Sequence, residues 1–175
     1  MNDSLNRILL ATDGSAGAEF AARTAIRLAN DTGCELHLVY VERLPGSSAN
    51  VPISARHIEG ELQERAEREG LGWLLDLDGR LRTVGGVVAG AHLRMGEVAK
   101  EVGALAEELE ADLIVVGRRG RSTIASAVMG SVSRSLVRHA PCPVVVARSQ
   151  ATDEGGKRGP GQGILSRGTR KLRRQ

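Results

Sequence analysis

The 175 residues predict a single-domain α/β protein: an open, doubly wound, parallel five-stranded sheet with helices on both faces. Three observations carry that expectation. Uniformly apolar runs at 8–11, 113–116 and 144–147 read as strands buried on both faces, which is how parallel strands look, rather than as alternating ones. Stretches of helical period separate them, and parallel neighbours need such crossovers, which are right-handed. The length suits one domain.

Arg7–Thr12 reads as the first strand. Asp13 and Gly14 form a loop, and a helix over 15–31 presents Ala18, Ala22, Ala25 and Ala29, small residues that let it pack close to the sheet. Gly33 is placed to end it in the left-handed conformation. Glu35–Glu42 is the second strand and 44–50 a loop. Over 54–70, Ile58, Leu62 and Ala66 recur every four residues, with Glu61–Arg65 and Glu64–Arg68 set as helical ion pairs and the charges of 64–69 facing solvent. Residues 71–90 are interrupted by Gly79, Gly85, Gly86 and Gly90. Asp76 and Asp78 before Gly79 read there as turn formers, and alternation puts a third strand at 84–93. Gly96 opens a helix with Val98, Val102, Leu105 and Leu109 inward. A strand at 112–117, a loop at 118–129, a helix at 130–139 and a last strand at 143–148 complete the domain.

The formal charge of +3 is unevenly spread. Seven Lys or Arg against two acids give residues 151–175 a charge of +5, and seventeen basic against nineteen acidic residues leave the first 150 at −2. The domain is expected to span 1–148, followed by a basic, Gly- and Arg-rich disordered tail at 149–175 that is too poor in aliphatic side chains to offset its ordering entropy. With no aromatic residues interleaved for base stacking, that tail reads as a solvated extension, and any nucleic-acid contact would fall to it alone. No apolar run approaches the roughly 18 residues of a membrane span, and Met1–Gly14 does not read as a secretory leader, so a cytoplasmic location is expected. Cys34 and Cys142 lack the spacing of a disulfide framework or zinc site, Cys142 reading as a small buried residue. His37, His57, His92 and His139 show no helical pairing of ligands and read as surface or packing residues.

Chemistry concentrates after the fourth strand, where Gly117-Arg118-Arg119-Gly120 is followed nine residues later by Gly130-Ser131-Val132-Ser133. Gly117 and Gly120 let backbone approach a ligand, and Gly130 opens a helix whose amide groups favour anions. The Ser131 and Ser133 hydroxyls add donors for phosphate oxygens, and Arg118, Arg119 and Arg121 add charge-assisted ones. In a doubly wound sheet the ligand crevice lies beyond the carboxyl ends of the strands where their order reverses. The ends of strands one and four are those places.

This Gly-x-x-Gly-x9-Gly-Ser spacing resembles the nucleotide-binding signature of the ATP-binding branch of the universal stress protein family. The opening Ile8-Leu9-Leu10-Ala11-Thr12-Asp13-Gly14-Ser15, the segment 96–120 and the closing His139-Ala140-Pro141-Cys142-Pro143-Val144-Val145-Val146 are similar to that family as well. The resemblance implies an adenine nucleotide alpha-hydrolase-like fold and a UspA-like stress-response protein. It implies Ala11, Thr12 and Asp13 near the nucleotide, Val41 against adenine, and Val116, Gly117, Arg119 and Gly120 along ribose and phosphate. Gly130, Ser131, Val132 and Ser133 would cradle the triphosphate. It also implies an antiparallel homodimer through 143–148. Gly14 stands where the family varies, residues 71–90 are poorly matched to it, and the tail lies outside the shared domain.

Asp13 keeps two readings, a cap of the first helix or a group that holds magnesium or a ribose hydroxyl. No Gly-x4-Gly-Lys-Ser/Thr loop, Gly-x-Gly-x-x-Gly turn or Gly-x-Ser-x-Gly elbow occurs, and no base stands beside the glycine loop, so no catalytic residue is assigned. The first functional reading is therefore an ATP-binding stress and signalling module with slow hydrolysis or none. The alternatives are a magnesium-dependent ATP hydrolase or phosphotransferase of the same fold, and a structural dimer module without nucleotide.

Overall fold

The computed structural model describes residues 5–43, 56–120 and 129–148. In chain order the elements are β1 (Arg7–Thr12), α1 (Ala16–Thr32), β2 (Glu35–Glu42), α2 (Arg56–Thr83), β3 (Val88–Met95), α3 (Val98–Glu108), β4 (Leu113–Gly117), α4 (Ser131–His139) and β5 (Val144–Ala147). The sheet is five-stranded and wholly parallel, in the order β3-β2-β1-β4-β5. The chain winds outward to β3 and then crosses to β4, so the order reverses between β1 and β4. That is the expected architecture, with β3 and β5 at the edges.

Two apolar layers flank the sheet. On one face Ile8, Leu10, Leu36, Leu38 and Val115 pack under α1 and α2 through Ala21, Ala22, Ala25, Leu74, Leu77 and Leu81. On the other, Leu9, Val39, Val41, Ile114 and Val116 meet Val102, Leu105 and Ala106 of α3 and Leu136 of α4. Alternate side chains of each strand enter opposite layers, which is why the strands read as unbroken apolar runs. The alanine face of α1 is buried as expected, and Gly33 ends the helix at φ 75° with its amide on the Ala29 carbonyl, 2.8 Å. No helix among the described residues is long and apolar enough to cross a membrane.

The largest correction concerns 71–90. The helix expected to end at 70 runs to Thr83, and β3 starts at Val88 rather than 84. Asp76 and Asp78 are not turn formers: each pairs one helical turn on, with Arg80 at 3.1 Å and Arg82 at 2.9 Å. A glycine within a helix costs about 1 kcal/mol relative to alanine, whereas each buried leucine contributes roughly 1.5–3 kcal/mol, so Leu74, Leu77 and Leu81 outweigh Gly72 and Gly79. The helix stops where Gly85 turns left-handed, φ 84°, and the Gly86 amide returns to the Leu81 carbonyl at 2.9 Å. The expected Glu64–Arg68 ion pair differs. Arg65 bonds Glu69 at 2.8 Å, and Arg68 Nε donates to the Glu64 carbonyl rather than to its carboxylate. The loop at 44–50, the helix start at 54–55, the side chains of Ile58, Glu61 and Leu62, Arg121 and the tail lie outside the described residues.

Candidate functional site

A cavity of about 230 Å³ opens at the carboxyl ends of β1, β2 and β4. It far exceeds the roughly 10–15 Å³ that accommodates one water, so it has room for a small molecule. All twelve residues named from sequence line it: Ala11, Thr12 and Asp13 from β1 and its turn, Val41 from β2, Val116, Gly117, Arg119 and Gly120 from β4 and beyond, and Gly130, Ser131, Val132 and Ser133 from the start of α4. The apolar wall continues through Val39, Val98 and Val102, which sequence reading had assigned only to core or left unassigned. Tyr40, Glu42 and Arg43 complete the rim, and Ala18 the floor.

The glycines permit the approach of three backbone segments. A β-carbon on Gly117 would lie 2.6 Å from the Gly17 carbonyl carbon, and one on Gly17 would collide with the Arg119 carbonyl oxygen. The first turn of α1 therefore packs backbone to backbone against the segment leaving β4. Gly17 was missed, and the signal available was a glycine inside an otherwise alanine-rich helix. Further along, a β-carbon on Gly120 would lie 2.5 Å from Asp13 Oδ2. The carboxylate and the glycine loop are thus in direct apposition although 107 positions apart.

The roles of Asp13 and Ser15 are separated. Ser15 is the N-cap of α1, its Oγ accepting from the Ala18 amide at 3.2 Å, while Asp13 Oδ1 accepts from the Ser15 amide at 3.0 Å. The capping reading of Asp13 passes to its neighbour, and Asp13 stands on the cavity wall.

At α4, Gly130 is the N-cap and no side chain caps the helix. The Gly130 amide bonds the Arg118 carbonyl at 2.9 Å, fixing the helix start beside β4. Ser133 is buried, and its hydroxyl donates to the carbonyls of Arg118, 3.0 Å, and Gly130, 3.3 Å. A hydroxyl has one proton to give. Ser133 Oγ is consequently engaged as a brace between β4 and the start of α4, while Ser131 is exposed. The arrangement offers a valine-lined recess beside a helix N-terminus, suited to a ligand with a flat apolar end and an anionic one.

Elsewhere, His37 and His92 are paired across β2 and β3, Nδ1 to Nε2 3.2 Å, their rings stacked at 5.5 Å. Gly90, opposite His37, makes the room. Helical spacing does not register a pair formed between strands. Burial first, then the charges of His37 and Arg94, hold His92 below its ordinary value, and burial raises the Cys142 thiol. Among the described residues no cluster of three metal-ligating side chains occurs.

The model of the Universal stress protein family matches residues 4–148. Universal stress protein G of Shigella flexneri is 37% identical over 136 residues, covering 73% of this chain and 87% of that protein. Universal stress protein YxiE of Bacillus subtilis is 31% identical over 147 residues, 82% of this chain and 99% of that one. Among solved structures, UspA from Lactobacillus plantarum superposes with a TM-score of 0.73 at 24% identity, covering 84% of this chain and all of that one. A universal stress protein in complex with cAMP (TM-score 0.58, 23% identity, 83% and 99% coverage) and one from Arabidopsis thaliana with AMP bound (0.58, 18%, 83% and 93%) share the fold.

Proposed function

This chain belongs to the universal stress protein family, and on that premise we propose that it binds ATP in the cavity and acts as a nucleotide-responsive module with slow hydrolysis or none. The supporting observation is the convergence of the twelve residues on one cavity at the β1–β4 switch point, where glycine-only contacts bring the segments together. Adenine lies in the recess of Val39, Val41, Val98 and Val116. The phosphates lie at the amides of Ser131, Val132 and Ser133, with the Ser131 hydroxyl and Arg119 beside them. Asp13 holds magnesium or ribose at the glycine loop. Nucleotides in two structural neighbours, cAMP and AMP, agree with a ligand of this class.

Slow turnover follows from the residue types at the site. The glycine loop itself brings arginines and amides to the phosphates but has no lysine, histidine or carboxylate to activate water, and Asp13, set against it, is taken up by magnesium or ribose, so phosphates are held without being attacked. Incubation with magnesium ATP tests this: binding heat at millimolar nucleotide with phosphate release well below one turnover per second is expected. Several turnovers per second, abolished by Asp13→Ala, would instead establish a hydrolase.

The edge strand β5 is the proposed contact of a two-fold homodimer, because its outer backbone groups invite a second strand and Val144, Val145 and Val146 are only half-buried. Light scattering at tens of micromolar is expected to give twice the chain mass, and a monomer mass contradicts it.

A further inference from the structure

Among the described residues helix α2 contributes none to the cavity lining, yet one of its side chains touches both arms of the mouth. The indole of Trp73 packs on the backbone of Gly14, where a β-carbon would lie 2.9 Å from Trp73 Cζ2. Gly14 joins Asp13, on the cavity wall, to Ser15, the cap of α1. Trp73 also meets the ring of Tyr40, centroids 4.8 Å apart and tilted at 43°. Tyr40 and Glu42 line the cavity at the end of β2, and the Tyr40 hydroxyl donates to Glu42 Oε2 at 2.6 Å. One helical turn before Trp73, Gly70 brings α2 close to the same ring, since a β-carbon there would lie 3.4 Å from Tyr40 Cε1.

We propose that Trp73 is a positioning residue for the nucleotide site: it braces the Asp13–Gly14 turn against the end of β2, so that filling the cavity between those arms moves the indole. This rests on the nucleotide reading above. An indole suits the task because it is large and rigid, with two side-chain torsions to fix. Gly14 suits it because φ 74° and the contact with the ring both exclude a side chain.

The sequence has a single tryptophan, so its emission reports this ring alone. Titration of the full chain with magnesium ATP is expected to change that emission along a saturable curve whose midpoint matches the calorimetric Kd. A cycle of Gly14→Ala and Trp73→Leu supplies the second readout. Gly14→Ala is expected to weaken binding about tenfold beside Trp73 and about threefold or less in the Trp73→Leu background, since backbone strain is common to both and collision with the ring is not. If Trp73→Leu does not fold, Trp73→Phe takes its place, with the cost of Gly14→Ala expected to be reduced there as well. Binding heat with unchanged emission and equal cost of Gly14→Ala in both backgrounds overturns the role of Trp73 alone. No binding heat at millimolar ATP overturns the nucleotide reading and the role of Trp73 with it.

Discussion

At Gly120 a hydrogen atom stands where any other residue would place carbon 2.5 Å from Asp13 Oδ2. Alanine there must push the Asp13 carboxylate or the loop by several tenths of an ångström, and the Asp13 turn is already tied through Ser15 to α1. We expect Gly120→Ala to weaken ATP binding about tenfold, roughly 1.4 kcal/mol, while leaving the melting temperature nearly unchanged because the residue is exposed. Calorimetry and a thermal melt check the two halves separately. Residues such as Gly117, Gly120 and Gly130 were legible as cavity residues because they are marked by local spacing that survives as a string of letters. Gly17 and Trp73 were not. Their importance comes from contacts with Arg119 and Gly14, which only the closed sheet brings near, and nothing adjacent in sequence marks them. The Ser133 hydroxyl was legible as a wall residue, while its bonds to two carbonyls were not, since they depend on how α4 meets β4.

Among the elements, β1, β2 and α1 were readable to within a residue or so because apolar period, cap and glycine stop agree there. In α2 they conflict. Gly79 reads as a breaker locally, and burial of Leu77 and Leu81 overrides it. A β-carbon on Gly79 meets nothing within 4 Å, so Gly79→Ala is expected to raise stability by about 0.5–1 kcal/mol in urea denaturation. Loss of stability would show that the helix does not continue through this point. The β2–β3 pair carries a pH dependence of known sign. His92 is held below the ordinary 6.5 by burial first, and faces His37, Arg94 and Glu108. As pH falls below 6.5 the unfolded chain takes up a proton that folded His92 refuses, so stability falls progressively toward the folded value. Urea midpoints measured across that range should decline less steeply in His92→Asn than in the natural chain.

At the scale of the whole molecule, charge and ligand site are separate. The +3 of the chain comes from its last 25 residues, while the first 150 carry −2, so attraction for a polyanion must come from amides and arginines aimed locally at the cavity. Deletion of residues 151–175 is expected to leave ATP affinity within about twofold, a difference of roughly 0.4 kcal/mol, by calorimetry. A large loss would move the functional boundary beyond 148. The parallel order β3-β2-β1-β4-β5 sets the switch point that assembles three distant segments into one wall, and the alternation of elements was enough to anticipate it. The central claim is that this wall binds ATP through the start of α4. The most direct measurement is calorimetric titration of magnesium ATP into the natural chain and into Gly130→Glu, which sets a carboxylate beside the phosphate-facing amides. Saturable binding to the natural chain, weakened at least tenfold or lost in the variant, is the predicted result; equal affinity in both, or no binding to either, would contradict it.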